Sequence, residues 1–259
     1  MRQPTTSNAI GLWTLYMREV RRFMKVFMQT LMAPVVTTLL FLAVFTLALG
    51  KFRPDVHGVP FSEFLAPGLV MMAIAQNSFA NTSSSIMSAK VQGNIVDTLM
   101  PPFSSLELVT GIAFGGVTRG LAVGVTVAAA MALVVGLSVS NAALIIYHAL
   151  AASLMLSLLG IMGGIWADKF DHMAAITHFV ITPLSFLSGT FYSIERLPEF
   201  GQTLAHLNPF FYMIDGFRSG FIGYADVESW IGITVMAAVN VVLWWWCMWM
   251  FRSGYKLKP

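Results

Sequence analysis

The chain has 259 residues, 57% of them hydrophobic and only 10% charged, with a net charge of +3 and a mean hydropathy of +0.74. Soluble domains carry roughly 25% charged residues, so water is not the main solvent for this surface. The length admits one domain of about six membrane spans and no sizeable soluble domain, and the single cysteine, Cys247, rules out an internal disulfide framework or a cysteine-based metal site.

Met1 to Asn8 is polar, and no small-residue cleavage motif ends a short apolar stretch, so no cleavable signal is expected. Residues 8–25 read as an amphipathic helix, with Trp13, Tyr16, Met17, Val20, Phe23 and Phe27 on one face and Arg18, Arg22 and Lys25 on the other. A basic, aromatic-studded helix of this kind lies in the headgroup plane; the plainer alternative is an extension of the first span. Apolar runs of spanning length follow at 26–49 (with Pro34 inside), 63–86, 106–139, 143–167, 173–189 and 230–251. Between the first two lies a polar turn, Gly50 to Ser62. The segment 88–104, SAKVQGNIVDTLMPPFS, is polar and carries the stop Pro101-Pro102. The third run is longer than a bilayer needs, so its start is expected to project into the cytoplasm. The fifth breaks at Ser188-Gly189. Residues 193–207 then read as a short amphipathic helix capped by Ser193, with Glu195 near its positive end and Leu197, Phe200, Leu204 and Leu207 on its apolar side.

Lys and Arg set the orientation. With the N-terminus inside, the cytoplasmic side holds Arg2, Arg18, Arg21, Arg22, Lys25, Lys90, Lys169, Arg252, Lys256 and Lys258, against Lys51, Arg53, Arg196 and Arg218 outside. That excess puts both termini in the cytoplasm and requires an even number of crossings.

The only Gly-Lys pair, Gly50-Lys51, lacks the other glycine and the hydroxyl residue of a phosphate loop, so ATP hydrolysis by that route is excluded. The carboxylates form no metal or acid–base cluster, and no catalytic, metal or cofactor residues are expected in the chain. On the second run Asn77, Asn81 and Ser85 share one helical face. Either they line a substrate path or they make interhelical hydrogen bonds. On the fifth, Ile176, Phe179, Val180, Pro183, Phe186 and Leu187 form an apolar wall suited to an amphiphile, or plain packing. Gly116, Gly120 and Gly124, and the stripe Ser153, Ser157, Gly160 and Gly164, read as close packing within the chain. Arg119 is the one charge deep in a run, where a polar lock with an acid such as Glu19 or Asp168 is expected. His148 and His178 read as hydrogen-bonded structural residues, with a proton relay as the alternative.

Pro183, Ser188-Gly189, Phe191-Tyr192, Leu197-Pro198, Leu207-Asn208-Pro209, Tyr212 and Arg218, together with MQTLMAPVVTTLLF opening the first run, carry a resemblance. The chain resembles, essentially end to end, the ABC-2 type transporter permeases, and within them the YadH-like bacterial inner-membrane permeases. The resemblance implies an all-α integral membrane fold: six transmembrane helices, an N-terminal elbow helix, a cytoplasmic coupling helix and an extracytoplasmic re-entrant helix, in a single domain over 1–259. It implies a homodimer in the lipid of the bacterial inner membrane, bound to two copies of a separate ATP-binding-cassette ATPase. That ATPase holds ATP and Mg; this chain holds no cofactor, and no nucleic-acid partner is expected. The ATPase-coupling residues would be Lys90, Val91, Gln92, Asn94, Ile95, Asp97 and Leu99, with Ala167 to His172 a weaker contact. The substrate path would include Asn77, Asn81, Ser85, Phe179, Pro183 and Phe186, and the outer gate Ser193, Leu197, Phe200 and Leu204. The expected function is export of a hydrophobic or lipid-like substrate by alternating access. One rival is a motor-free channel or secondary carrier, weakened because the two halves share no paired broken helices. The other is an intramembrane enzyme using His148, His178 or Asp171, whose helical phases do not converge.

Overall fold

The computed structural model describes residues 8–49, 55–56 and 58–257. Arg2, Lys51, Arg53 and Lys258 of the charge count lie outside these residues, as does part of the turn at 50–62. Asn8 opens the first helix, α1 (Ala9–Met24), by accepting a hydrogen bond from the Gly11 amide at 2.8 Å. After a break at Lys25–Val26 comes α2 (Phe27–Leu49). A small antiparallel hairpin, β1 (Asp55–Val56) and β2 (Val59–Pro60), pairs Val56 with Val59 and feeds α3 (Phe61–Val91). The short α4 (Ile95–Leu99) follows. Then α5 (Ser105–Val135) starts on a reciprocal cap between Ser104 and Glu107 and stops at Gly136, whose φ of 75° ends the helix before the expected residue 139. Next is α6 (Ala142–Trp166), capped by Asn141.

The fifth apolar run is not one continuous α-helix. It divides into α7 (Phe170–Ile176), a π turn (Thr177–Ile181) and α8 (Thr182–Leu187). Pro183 has no amide hydrogen for the carbonyl one turn earlier, and its ring crowds that turn, so widening at 177–181 relieves the clash. Gly189 at φ 78° then turns the chain. The capped helix expected over 193–207 is corrected in the same way. Ile194–Arg196 is a single 3₁₀ turn, Leu197 is extended ahead of Pro198, and α9 spans only Glu199–His206. Ser193 does not cap a helix; its hydroxyl donates to Asp226 at 3.0 Å. Asn208-Pro209 opens α10 (Pro209–Ile222), with the Asn208 side chain accepting from the Phe210 amide and Pro209 in the first turn. The chain ends with α11 (Ser229–Ser253).

Among the described residues, four helices are long and apolar enough to cross a bilayer: Phe27–Ala48, Ser105–Val135, Ala142–Trp166 and Ser229–Ser253. At 31 residues, α5 is about 46 Å long, well beyond a hydrocarbon core of about 30 Å. The centre of the bundle is α3, which packs on α6, α5, α10 and α2. Its first half is apolar all round and buried all round, from Phe64 to Ala75.

Close approach to α3 comes from glycines on its neighbours. A Cβ at Gly120 would lie 1.9 Å from the Ser78 hydroxyl, and one at Gly160 would lie 2.1 Å from that of Thr82. On a second side of α5, a Cβ at Gly111 would meet Leu15 at 2.7 Å and one at Gly115 would meet Glu19 at 2.4 Å, so α1 also lies close along this helix. Small residues let helices approach where no hydrophobic difference between lipid and side chain draws them together. His148 is wedged between α10 and α11: its Nδ1 faces the Leu144 carbonyl at 3.0 Å, and its ring fills the space beside Gly216.

Candidate functional site

The inward stripe of α1 is Leu15, Glu19 and Phe23, with Trp13 exposed. Glu19 is fully buried. It lies 3.1 Å from Arg18 and 3.3 Å from Arg22, and it accepts from the Ser85 hydroxyl at 2.9 Å. A buried carboxylate is tolerable only when charge and hydrogen bonds surround it, which explains why two arginines of the same helix turn inward. Arg22 continues across to α3, donating to Ser84 at 2.9 Å, to the Asn81 side chain at 3.0 Å and to the Asn81 carbonyl. Arg18 reaches the other way and donates to Thr98 of α4 at 3.0 Å.

Asn81 and Ser85 are thus turned toward α1, whereas Asn77 faces a cavity of about 410 Å³ between α2, α3 and α5. Gln29, Thr30, Thr37, Thr38, Gln76 and Arg119 line it with Asn77. Arg119 donates to Asn77 at 3.2 Å, and among the described residues it pairs with neither Glu19 nor Asp168, which corrects the expected lock. Glu19 is occupied by α1's own arginines. A charge on a spanning helix is costly, and one interhelical amide contact returns only about 1 kcal/mol.

Asp168 sits just past the C-terminal end of α6. It is 3.0 Å from Lys256 and 3.6 Å from Lys90. The hydrogen bond from Lys256, with the charges of Lys256 and Lys90, holds its carboxyl below the usual carboxylate range. Lys90 also donates to the Ile165 carbonyl at 2.7 Å and the Ala167 carbonyl at 2.5 Å, so it caps α6 instead of facing outward. Of the other residues expected to couple to an ATPase, Val91, Gln92, Asn94 and Asp97 are exposed, Leu99 is half-buried and Ile95 turns into the core.

The expected gate residues Phe200 and Leu204 are exposed, Leu197 is half-buried and Ser193 is buried. Tyr224 donates to Glu195 at 2.9 Å and to Asp226 at 3.2 Å, and Asp215 accepts from the Asp226 amide at 2.9 Å. Burial and the contact with Glu195 raise the Tyr224 phenol above its ordinary range. Arg218, expected at the outer surface, is instead buried. Its guanidinium stacks 4.0 Å over Phe64 and donates to the Gly189 carbonyl. Of the apolar wall, Phe179 and Leu187 are exposed, and Phe186 packs on Phe41 and Phe191. Ile176 and Val180 line a separate apolar groove of about 670 Å³ against α6 and α11.

The sequence reading missed Gln29, Thr30, Thr37, Thr38 and Gln76. Their signal was present: Gln29, Ala33 and Thr37 recur every fourth residue, as do Thr30, Pro34 and Thr38.

Long apolar helices around a cavity lined by amides, hydroxyls and one guanidinium define a mostly helical, multi-pass membrane protein. The chain belongs to the ABC-2 type transporter family, whose sequence pattern matches residues 11–222. It is 36% identical over 249 residues to the inner membrane transport permease YadH of Escherichia coli (strain K12), covering 96% of this chain and 97% of that protein. It is also 26% identical over 226 residues to nodulation protein J of Rhizobium leguminosarum bv. trifolii, covering 85% of this chain and 84% of that protein. The chain is accordingly a transporter permease.

Proposed function

We propose that this permease is the transmembrane subunit of an ATP-driven exporter, working as a homodimer with two ATP-binding-cassette ATPase subunits in the bacterial inner membrane. The observation that carries the reading is the continuous polar link from α4 through α1 to α3. Thr98 holds Arg18, Arg18 and Arg22 hold Glu19, and Glu19 and Arg22 hold Ser85 and Asn81. A push on the exposed side of α4, at Val96 and Asp97, would reach the polar face of α3 without passing through a flexible segment.

In this reading α2, α3, α5, α6, the α7–α8 rod and α11 make six crossings, and α1 lies at the inner interface as the elbow. Residues 193–206 fold back below the outer face as the gate, and both termini are cytoplasmic. The exposed apolar residues Met28 and Met32 of α2, with Phe179 and Leu187 of the α7–α8 rod, offer the seam for a second copy. ATP and Mg bind the partner, whose closure favours the outward-open state through its differential affinity. The substrate is hydrophobic or lipid-like. The family's description as transporters and the permease named YadH both support this reading.

The test is co-purification with a candidate ATP-binding-cassette ATPase, followed by ATP hydrolysis across a lipid and drug panel. Complex formation, weakened by Val96→Asp, is the expected result. Uphill transport by the isolated chain in liposomes would overturn the reading.

A further inference from the structure

The cavity between α2, α3 and α5 holds a cation whose charge nothing else in the described structure balances. Arg119 makes one hydrogen bond, to Asn77, and its Nε is buried without a partner. Of the carboxylates on the same half of the bundle, Glu19 is committed to Arg18 and Arg22, Asp168 to two lysines and Glu107 to Ser104 and the Asn8 amide, while Asp97 and Asp171 are exposed on α4 and α7 and do not line the cavity. Every other polar group on the cavity wall is an uncharged amide or hydroxyl; the Thr38 hydroxyl donates to the Pro34 carbonyl at 2.7 Å, and Gln29, Thr37 and Gln76 carry groups that can donate to an oxygen. Arg22 contacts α3 at Asn81, one helical turn from the Asn77 that Arg119 contacts, so a second guanidinium adds to the positive field on the cytoplasmic side.

The depth of the cavity matters as much as its charge. Tyr16 of α1 bonds to Thr118, the residue before Arg119, at 2.9 Å. If α1 marks the inner interface, which rests on the reading above, Arg119 lies at the level where phosphates meet acyl chains. Farther along, α2 exposes Val36, Leu40, Val44 and Leu47. A fixed cation with neutral donors, continued by an apolar stripe, is shaped for a molecule with an acidic head and a greasy tail. A guanidinium suits the head because its planar fork matches phosphate oxygens.

We propose that this cavity binds the phosphate head group of an anionic amphiphile, with Arg119 as its counter-ion, Asn77 positioning the guanidinium, and the acyl chain lying along Val36, Leu40 and Val44 of α2. The site narrows the substrate class from hydrophobic to acidic and amphiphilic.

The test uses the full-length chain in neutral maltoside micelles at 150 mM salt. It is titrated by calorimetry with dihexanoyl phosphatidic acid, the uncharged dihexanoylglycerol, and inorganic phosphate. Saturable binding of phosphatidic acid is expected, with the uncharged lipid at least tenfold weaker and inorganic phosphate weaker still. Arg119→Gln should weaken phosphatidic acid binding at least tenfold and Arg119→Lys less. Arg252→Gln, exposed at the end of α11, should leave it unchanged. Should Arg119→Gln fail to fold, the lining pair Thr37→Val with Gln76→Leu replaces it, with a several-fold loss expected. Equal affinity for the charged and uncharged lipids, or full affinity in Arg119→Gln, would overturn the proposal. Inorganic phosphate binding as tightly as phosphatidic acid, and losing affinity in Arg119→Gln, would overturn the amphiphile in favour of a soluble anion. No ATPase enters the assay, so a negative result leaves the permease reading intact, and failure to isolate an ATPase complex leaves this site intact.

Discussion

Arg18 donates to the Thr98 hydroxyl at 3.0 Å, joining α1 to α4 across 80 residues of sequence. Hydrogen bonds from charged donors contribute about 1.5–3 kcal/mol, less here because Arg18 is half exposed. Arg18→Ala and Thr98→Val should each lower substrate-stimulated ATP hydrolysis by the partner about three- to tenfold. The double variant should be no worse than the poorer single one. Losses that simply add would mean the two side chains act separately.

Glu19 is the pivot of that link, and its removal strands two arginines against a buried wall. Breaking a buried ion pair costs about 3–5 kcal/mol, and partial exposure of both guanidinium groups puts Glu19→Ala toward the lower end of that range. Glu19→Gln, which retains an acceptor for Ser85, should lose less. The single cysteine, Cys247, is wholly buried, so its reaction with a thiol-reactive fluorophore during heating reports unfolding directly.

Gly120→Ala and Gly160→Ala place a methyl group where Ser78 and Thr82 already stand. Overpacking of this kind costs about 1–3 kcal/mol, visible as a lower melting temperature in the same thiol assay. Pairing Gly120→Ala with Ser78→Ala should recover part of the loss, because the clash is with the Ser78 hydroxyl. No recovery would place the strain on the Ile74 carbonyl, 3.2 Å from the same position.

The Asp168 knot predicts a response to acid. Its carboxyl is held below the ordinary range by the Lys256 hydrogen bond and by both lysine charges. A depressed folded value means the pair stabilises the protein above the unfolded carboxylate value of about 3.9, and that this contribution is lost as pH falls through the lower folded value. Wild type should therefore melt higher than Asp168→Asn at neutral pH, and the gap should begin to narrow as pH falls below about 4. A gap that acid does not narrow at all would mean the asparagine acts through packing.

Much of the architecture was legible because lipid simplifies the problem. Spanning length and the glycine stripes of α5 and α6 each follow from a single local rule, whereas the helix that Asn208-Pro209 opens, α10, was not expected. The errors came where a tertiary partner decides the outcome. Helical phase put Arg22 on an outward face, because no local rule shows that Glu19 buries itself and draws Arg22 after it. Lys90 looked like a surface cation because the carbonyls it caps lie 75 residues away. Ser193 was read as a cap because Pro198 was weighed as part of a signature and not as a break in the helix. The cavity escaped notice because Gln29, Thr30, Thr37 and Thr38 are scattered through a strongly apolar run, where single polar residues carry little pattern.

The glycines of α5 face in two directions, toward α1 at positions 111 and 115 and toward α3 at 120 and 124, with 116 between α3 and α6. A helix smooth on two sides serves as a rail. Neighbours can glide a short way along it without lifting one side chain over another, while moving off it forfeits contacts that only so near an approach provides. Motion handed to α1 would therefore be steered lengthwise along α5, and α3, seated in the other trough, would share the same axis of travel.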